Sequence, residues 1–167
     1  MITNLEELYF DQLRDLHSAE SQLLVALPQM ASNATNDELR AAFIHHLEET
    51  KGQLARITRI CAEHGIEPTG EQCEAMRGLI KEAQKHIEST ERGDVRDAVL
   101  IASANRVEHY EIAAYGVSKA FAGVLGFGDD ADLLDESLDE ESNADKLLTK
   151  IATGGLFSDG VNREAID

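Results

Sequence analysis

Four stretches of this chain carry apolar residues in steps of three and four, and each breaks its apolar stripe with a carboxylate near the middle. Steps of three and four mark one face of an α-helix, so four such stripes commit the chain to an all-α fold. In the first, Leu5, Leu8, Leu16, Leu23, Leu27 and Met30 predict a helix over about residues 4–31. A Thr3/Glu6 capping box opens it, and Pro28 is expected to kink its last turn. A second box, Thr35 with Glu38, opens a helix over about 36–64 on Leu39, Phe43, Leu47, Leu54, Ile57 and Ile60, which Gly65 stops. Asp94 is the expected cap of a third helix, about 94–124, carrying Ile101, Ala104, Val107, Ile112, Ala122 and Leu125. Asp129 or Asp130 is the expected cap of a fourth, about 130–152, before Gly154-Gly155 ends it.

The links are as informative as the helices. Tight turns after the first and third helices make two antiparallel hairpins. Between the second and third lies a long connector, with a turn at Pro68 and a short amphipathic helix over about 71–90 on Cys73, Met76, Leu79, Ile80, Ala83 and Ile87. Two hairpins joined by such a crossover have the one-crossover topology of a ferritin-like four-helix bundle. An up-down-up-down bundle would need no connector. No run of alternating β-branched residues suggests a strand. Residues 1–153 are therefore expected to form one bundle, followed by a polar tail at 154–167.

Composition narrows the partners. The chain has 167 residues, 32 of them acidic against 15 basic, for a net charge of −17. That field repels phosphate backbones and anionic lipid, so nucleic acid and membrane are poor partners and cations are good ones. No window reaches the ~20 apolar residues of a membrane span, and no basic and apolar leader opens the sequence, so the expected location is cytoplasmic. Cys61 and Cys73 make no disulfide framework and read as reduced, packed thiols.

The polar residues on the stripes carry the chemistry. The first stripe passes Leu8, Gln12, Leu16, Glu20, Leu23 and Leu27; the second passes Ala42, His46, Glu49, Gln53, Ile57 and Ile60. The third is unbroken through Ile101, Ala104, Glu108, Glu111, Tyr115, Ser118, Ala122 and Leu125, which points an E-x-x-E inward. On the fourth, the stripe Leu134, Leu138, Glu141, Asp145, Leu148 and Ala152 selects Glu141, whereas the less apolar stripe through Ser137 and Ala144 would select Glu140. A single glutamate on such a stripe ordinarily reaches for water. Five converging from four helices need a cation, because buried like charges drive one another's pKa values up. No arginine or lysine lies on these stripes, so a pair of hard, oxygen-preferring metal ions is the economical reading.

Glutamate on the first and second helices, E-x-x-E on the third and glutamate on the fourth resemble the di-iron pattern of the ferritin-like superfamily, rubrerythrins especially. More narrowly, His46-Leu47-Glu48-Glu49-Thr50, Cys73-Glu74-Ala75-Met76, Ile87-Glu88-Ser89-Thr90-Glu91 and Val107-Glu108-His109-Tyr110-Glu111-Ile112 make the chain similar to the YciF stress-protein family. The resemblance spans all but the last dozen residues. It implies a ferritin-like homodimer linked to bacterial stress responses, without an assigned activity. The chain departs from the di-iron pattern where E-x-x-H is usual on the second and fourth helices: Gly52 and Ala144 stand three residues after Glu49 and Glu141. His46, Gln53, Asp145 and His17, the neighbour of Glu20, are the available replacements.

The expected metal set is thus Glu20, His46, Glu49, Glu108, Glu111, Glu141 and Asp145, holding two iron ions or, as the alternative, manganese. Ferroxidase-like oxidation of Fe(II) or removal of peroxide would follow, with oxygen or peroxide as the co-substrate; a manganese catalase-like activity is a third option. The competing reading is a non-enzymatic stress protein whose bundle serves dimerisation or interaction and whose site is degraded. Tyr115 reads as core packing or as a hydrogen-bond donor to the cluster. His45, His64, His86 and His109 fall off the stripes and read as solvated, as does the acidic run from Asp129, with Glu141 its one inward member. No nucleophile with a base, phosphate loop or H-E-x-x-H is present.

Overall fold

The computed structural model describes residues 1–155 and 158–166. Four long helices, α1 (Leu5–Asn33), α2 (Asp37–Glu63), α4 (Asp94–Leu125) and α5 (Gly128–Thr153), form the bundle, and α3 (Glu74–Glu88) lies in the crossover between α2 and α4. The helix α1 packs on α2 and α4, and α5 on α4 and α2, so the four make a square with α3 laid across α1 and α4. This is the ferritin-like four-helix bundle with a helical connector.

The helix ends differ in detail from the capping boxes read in the sequence. Asn4 caps α1 by accepting from the Glu7 backbone N–H at 2.8 Å, and the Glu7 carboxylate reaches back to the Thr3 N–H at 2.7 Å. Asn36, not Thr35, caps α2 through the Leu39 N–H at 3.0 Å. Asparagine caps at least as well as threonine and stood one residue nearer each helix. The α1 helix continues past Pro28 to Asn33. Gly93 occupies the cap of α4, and Phe127 that of α5, neither with a side-chain bond. Asp130 does not cap α5 because its carboxylate is buried in other bonds, described below.

The α1–α2 turn is pinned from α4. Asp97, buried, accepts from the Thr35 and Asn36 backbone N–H groups at 2.8 and 2.7 Å. These are charge-assisted bonds to donors that no helix satisfies. Two apolar clusters then sit on either side of the polar mid-section of the bundle. One joins Leu23, Leu27, Met30, Leu39 and Phe43 to Leu100, Ile101, Leu148 and Ile151; the other joins Tyr9, Leu13 and Leu16 to Ile57, Ile60, Tyr115 and Leu134. Cys61 and Cys73 are free and buried, and the Cys73 sulfur caps α3 at the Met76 N–H.

The expected polar tail takes part in the fold. Gly154–Gly155 (β1) pairs antiparallel with Ser158–Asp159 (β2), a two-residue contact with no precedent in the sequence pattern. The short helix α6 (Val161–Glu164) follows, and Val161 is buried among core residues from α4 and α5. Gly160 is required for this return: a Cβ there would lie 2.2 Å from the Gly154 backbone nitrogen. Among the described residues no helix is long and apolar enough to cross a membrane.

Candidate metal centre

The middle of the bundle, between the two apolar clusters, is where the four carboxylate-bearing stripes meet. Glu20 from α1, His46 from α2, Glu108 and Glu111 from α4 and Glu141 from α5 are all buried. One donor atom from each of His46, Glu108, Glu111 and Glu141 lies within 4.8 Å of every other. The His46 Nε2 is 3.5 Å from Glu108 Oε1 and 3.6 Å from Glu141 Oε2. These distances exceed a hydrogen bond. The imidazole nitrogen therefore faces these carboxylate oxygens across a common point without a hydrogen bond to them.

The supporting bonds explain how each group is aimed. Tyr115, one turn after Glu111 on α4, is fully buried and donates its hydroxyl to Glu20. Gln53, also fully buried, donates to Glu141 and, at 3.0 Å, to Glu140. His46 Nδ1 faces Glu49 Oε2 at 3.3 Å, which leaves Nε2 directed at the cluster. A histidine held at one nitrogen by a carboxylate and open at the other is how a metal-ligating imidazole is usually fixed.

Two of the residues read from the stripes are not brought into the group. Glu49 is half-buried at the rim, shared between His46 and the exposed His45, each at 3.3 Å. Asp145 accepts from Asn105 at 2.7 Å and lies 3.2 Å from the exposed His109. Both lie on the expected stripes, but each turns aside to a polar partner nearer the surface. Between the fourth-helix alternatives, Glu141 is the buried member and Glu140 the half-buried one.

Three features escaped the sequence reading. Arg56, three residues after Gln53, bonds Ser137 at 3.0 Å, Glu136 at 2.9 Å and Glu140. It is off the stripe, but its long stem carries the guanidinium along the α2–α5 groove, a reach that stripe counting ignores. Asp130 is buried, not solvated, and accepts from the Tyr9 hydroxyl at 2.9 Å while lying 2.7 Å from His64 Nε2. His64 is consequently half-buried, its ring against Phe127 and Phe10, and is not the solvated histidine expected. An aspartate three residues into a helix reads as a dipole partner; only the tertiary contact with α1 and the end of α2 turns it inward.

Electrostatics agree with the geometry. Burial first, and then the neighbouring carboxylates, hold Glu20, Glu108 and Glu111 well above the usual carboxylate range. Burial alone would pull the His46 pKa down, but the Glu49 hydrogen bond and the nearby Glu141 and Glu140 charges leave it raised. Burial and then Glu20 and Glu111 push the Tyr115 hydroxyl up, so it remains a donor. Glu20 Oε2, His46 Nε2, Glu108 Oε2, both Glu111 oxygens and Glu141 Oε2 are buried without a hydrogen-bond partner. Buried polar atoms are otherwise nearly always paired, and six orphaned donors converging from four helices fit a metal cradle.

A family model described as a domain of unknown function (DUF892) matches residues 4–165. Protein YciF from Escherichia coli (strain K12) is 44% identical over 160 residues, covering 95% of this chain and 96% of that relative. The crystal structure of the E. coli stress protein YciF has a TM-score of 0.86 at 45% identity, covering 89% of this chain and 94% of that one. YcfI from Rhodopseudomonas palustris gives a TM-score of 0.87 at 40% identity, with 90% and 96% covered. A Xanthomonas campestris protein at 20% identity, TM-score 0.71, covering 88% and 89%, shares the fold. The agreement runs through all four helices and the connector, and on it this chain belongs to the YciF-like DUF892 family.

Proposed function

We propose that the chain is a metal-binding stress protein that holds two divalent ions, iron or manganese, at mid-bundle and uses them in redox chemistry with oxygen or peroxide. The observation that carries this reading is the set of orphaned donor atoms on Glu20, His46, Glu108, Glu111 and Glu141. Charge supports the number: four buried carboxylates carry −4 when ionised, and two divalent ions balance them with His46 neutral. One ion would leave two uncompensated negative charges in the bundle, a state that costs several kcal/mol.

Glu108, Glu111 and Glu141 would bridge or ligate, Glu20 would complete the set from α1, and His46 would ligate through Nε2. When bound, such a pair of ions supplies one-electron steps and a binding point for oxygen species. The rest falls to the chain. Tyr115 fixes the Glu20 carboxylate and keeps its own proton at the edge of the cluster. Gln53 orients Glu141, while Arg56 neutralises Glu140 and so keeps a further carboxylate from competing for the ions. Glu49, half-buried between His45 and His46, is the group placed to pass a proton between the cluster and water. A cavity of about 100 Å³, lined by His45, His46, Glu49, Glu108 and Leu147, opens beside the cluster and is large enough for peroxide.

The name of the E. coli relative, a stress protein, supports a role in defence against oxidants or excess metal. A homodimer in the bacterial cytoplasm is part of the same proposal. The test is turnover by the metal-loaded protein: Fe(II) oxidation by peroxide in the wild type, and oxygen evolution from peroxide by the manganese form. Loss of Fe(II) oxidation in Glu111→Gln, with helical content kept, supports the reading. Equal turnover in that variant contradicts it.

A further inference from the structure

We infer that the chain has a second binding site, remote in character from the metal centre, for a neutral and largely apolar small molecule bearing one hydrogen-bonding oxygen. The site is a cavity of about 230 Å³ where the crossover helix α3 lies across α1 and α4. Leu23, Met30, Ile80, Ile87 and Val107 make its walls. In their midst is Ser103, 5% exposed, whose buried Oγ has no hydrogen-bond partner.

That serine is the informative residue. In a helix a serine hydroxyl normally satisfies itself on the carbonyl one turn back, as Ser21 and Ser142 do here at 2.7 and 2.8 Å. Ser103 and Ser118 both forgo that bond, which is unfavourable for a buried hydroxyl unless something else meets it, and Ser103 is the one that lines this cavity. Apolar walls with a few polar groups, here the buried Ser103 hydroxyl with Gln29, Asn33, Gln84 and Glu88 around it, are the usual layout of a small-molecule pocket, where the walls give affinity and the polar groups set orientation.

Size and charge narrow the occupant. An apolar cavity of ~150 Å³ takes benzene, so one half as large again takes a fused bicyclic ring or a compact chain. No lysine or arginine lines the cavity, and the amides of Gln29 and Gln84 and the exposed Glu88 stand around it. With a net charge of −17 and no basic residue in the lining, an anion is rejected, and Glu88, the one charged residue of the lining, is exposed to solvent, so the buried part of the cavity offers a cation no partner. A neutral bicyclic alcohol, phenol or ketone satisfies all three constraints.

The test uses 2-naphthol as probe and 2-methylnaphthalene as its counterpart without the oxygen, each titrated by its own fluorescence against the full chain at neutral pH. The expected result is saturable binding, one per chain, with 2-naphthol about fivefold tighter, the factor that one net hydrogen bond supplies. In Ser103→Ala both probes still bind and that preference disappears. In Ala83→Phe, which fills the chamber from α3, neither binds. Should Ala83→Phe fail to fold, the Ser103→Ala comparison decides alone. Failure of 2-naphthol to saturate, or an unchanged preference in Ser103→Ala, overturns the proposal.

Discussion

Tyr115 carries more of the account than its place in the core implies. Its hydroxyl is the direct donor to Glu20, and both groups are fully buried. Tyr115→Phe keeps the ring and removes the donor, leaving a buried carboxyl oxygen unpaired. The metal-free variant is expected to lose about 1–3 kcal/mol in urea-induced unfolding. A loss below ~0.5 kcal/mol would show that the hydroxyl is not needed to hold Glu20. Residues of this kind mark how far the sequence could be read. Glu108, Glu111, Glu20 and Glu141 lay on unbroken stripes, and the periodicity that buries Ile101 and Leu134 buries them too. Glu49 and Asp145 lay on the same stripes, but local partners such as His45 and Asn105 settled which way their side chains turn. Arg56 and Asp130 were invisible because their roles depend on reach and on a contact between distant helices.

At the scale of elements, the helices were legible and their ends were not. Apolar spacing fixes a helix over many turns, whereas a cap is decided by one residue among several good candidates, as Asn4 beside Thr3 and Asn36 beside Thr35 illustrate. The α1–α2 turn depends on Asp97, a residue on another element. Asp97→Ala removes two charge-assisted bonds to part-buried N–H groups of the turn and is expected to destabilise the fold by about 2–3 kcal/mol, measured by denaturant unfolding. The tail offers a parallel case. Its composition is polar and gave no sign of structure, yet Val161 docks into the core because Gly160 lets the backbone pass close to Gly154. Gly160→Ala is expected to release α6 and lower the melting temperature by several degrees, about what a loss of 1–2 kcal/mol gives in a domain this size. Faster proteolysis of the last residues would accompany it, and an unchanged melting temperature and cleavage rate would contradict the docking.

The whole molecule gathers four carboxyl groups at its centre, and this sets its response to pH. Between the ordinary carboxylate pKa and the raised folded value of Glu20, Glu108 and Glu111, the native state binds more protons than the unfolded chain. Stability of the metal-free protein therefore falls as pH rises through that interval. The raised His46 acts in the same direction, its contribution present at low pH and lost on deprotonation, while the lowered Glu49 opposes it weakly from a half-exposed position. Chelated protein is expected to melt at higher temperature near pH ~5.5 than near pH ~8. Adding Mn(II) reverses the order, because the ion displaces the protons and binds the ionised cluster more tightly as pH rises. Glu111→Gln flattens the pH dependence of the chelated protein; an unaltered slope would detach the cluster from the effect.

The most direct test of the central claim is a crystal structure of the protein grown with Mn(II), with anomalous scattering used to locate and count the ions. The account predicts two peaks at mid-bundle, ligated by Glu20, His46, Glu108, Glu111 and Glu141, with Tyr115 still bonded to Glu20. No peak there, or a single ion with the remaining carboxylates protonated, would contradict it.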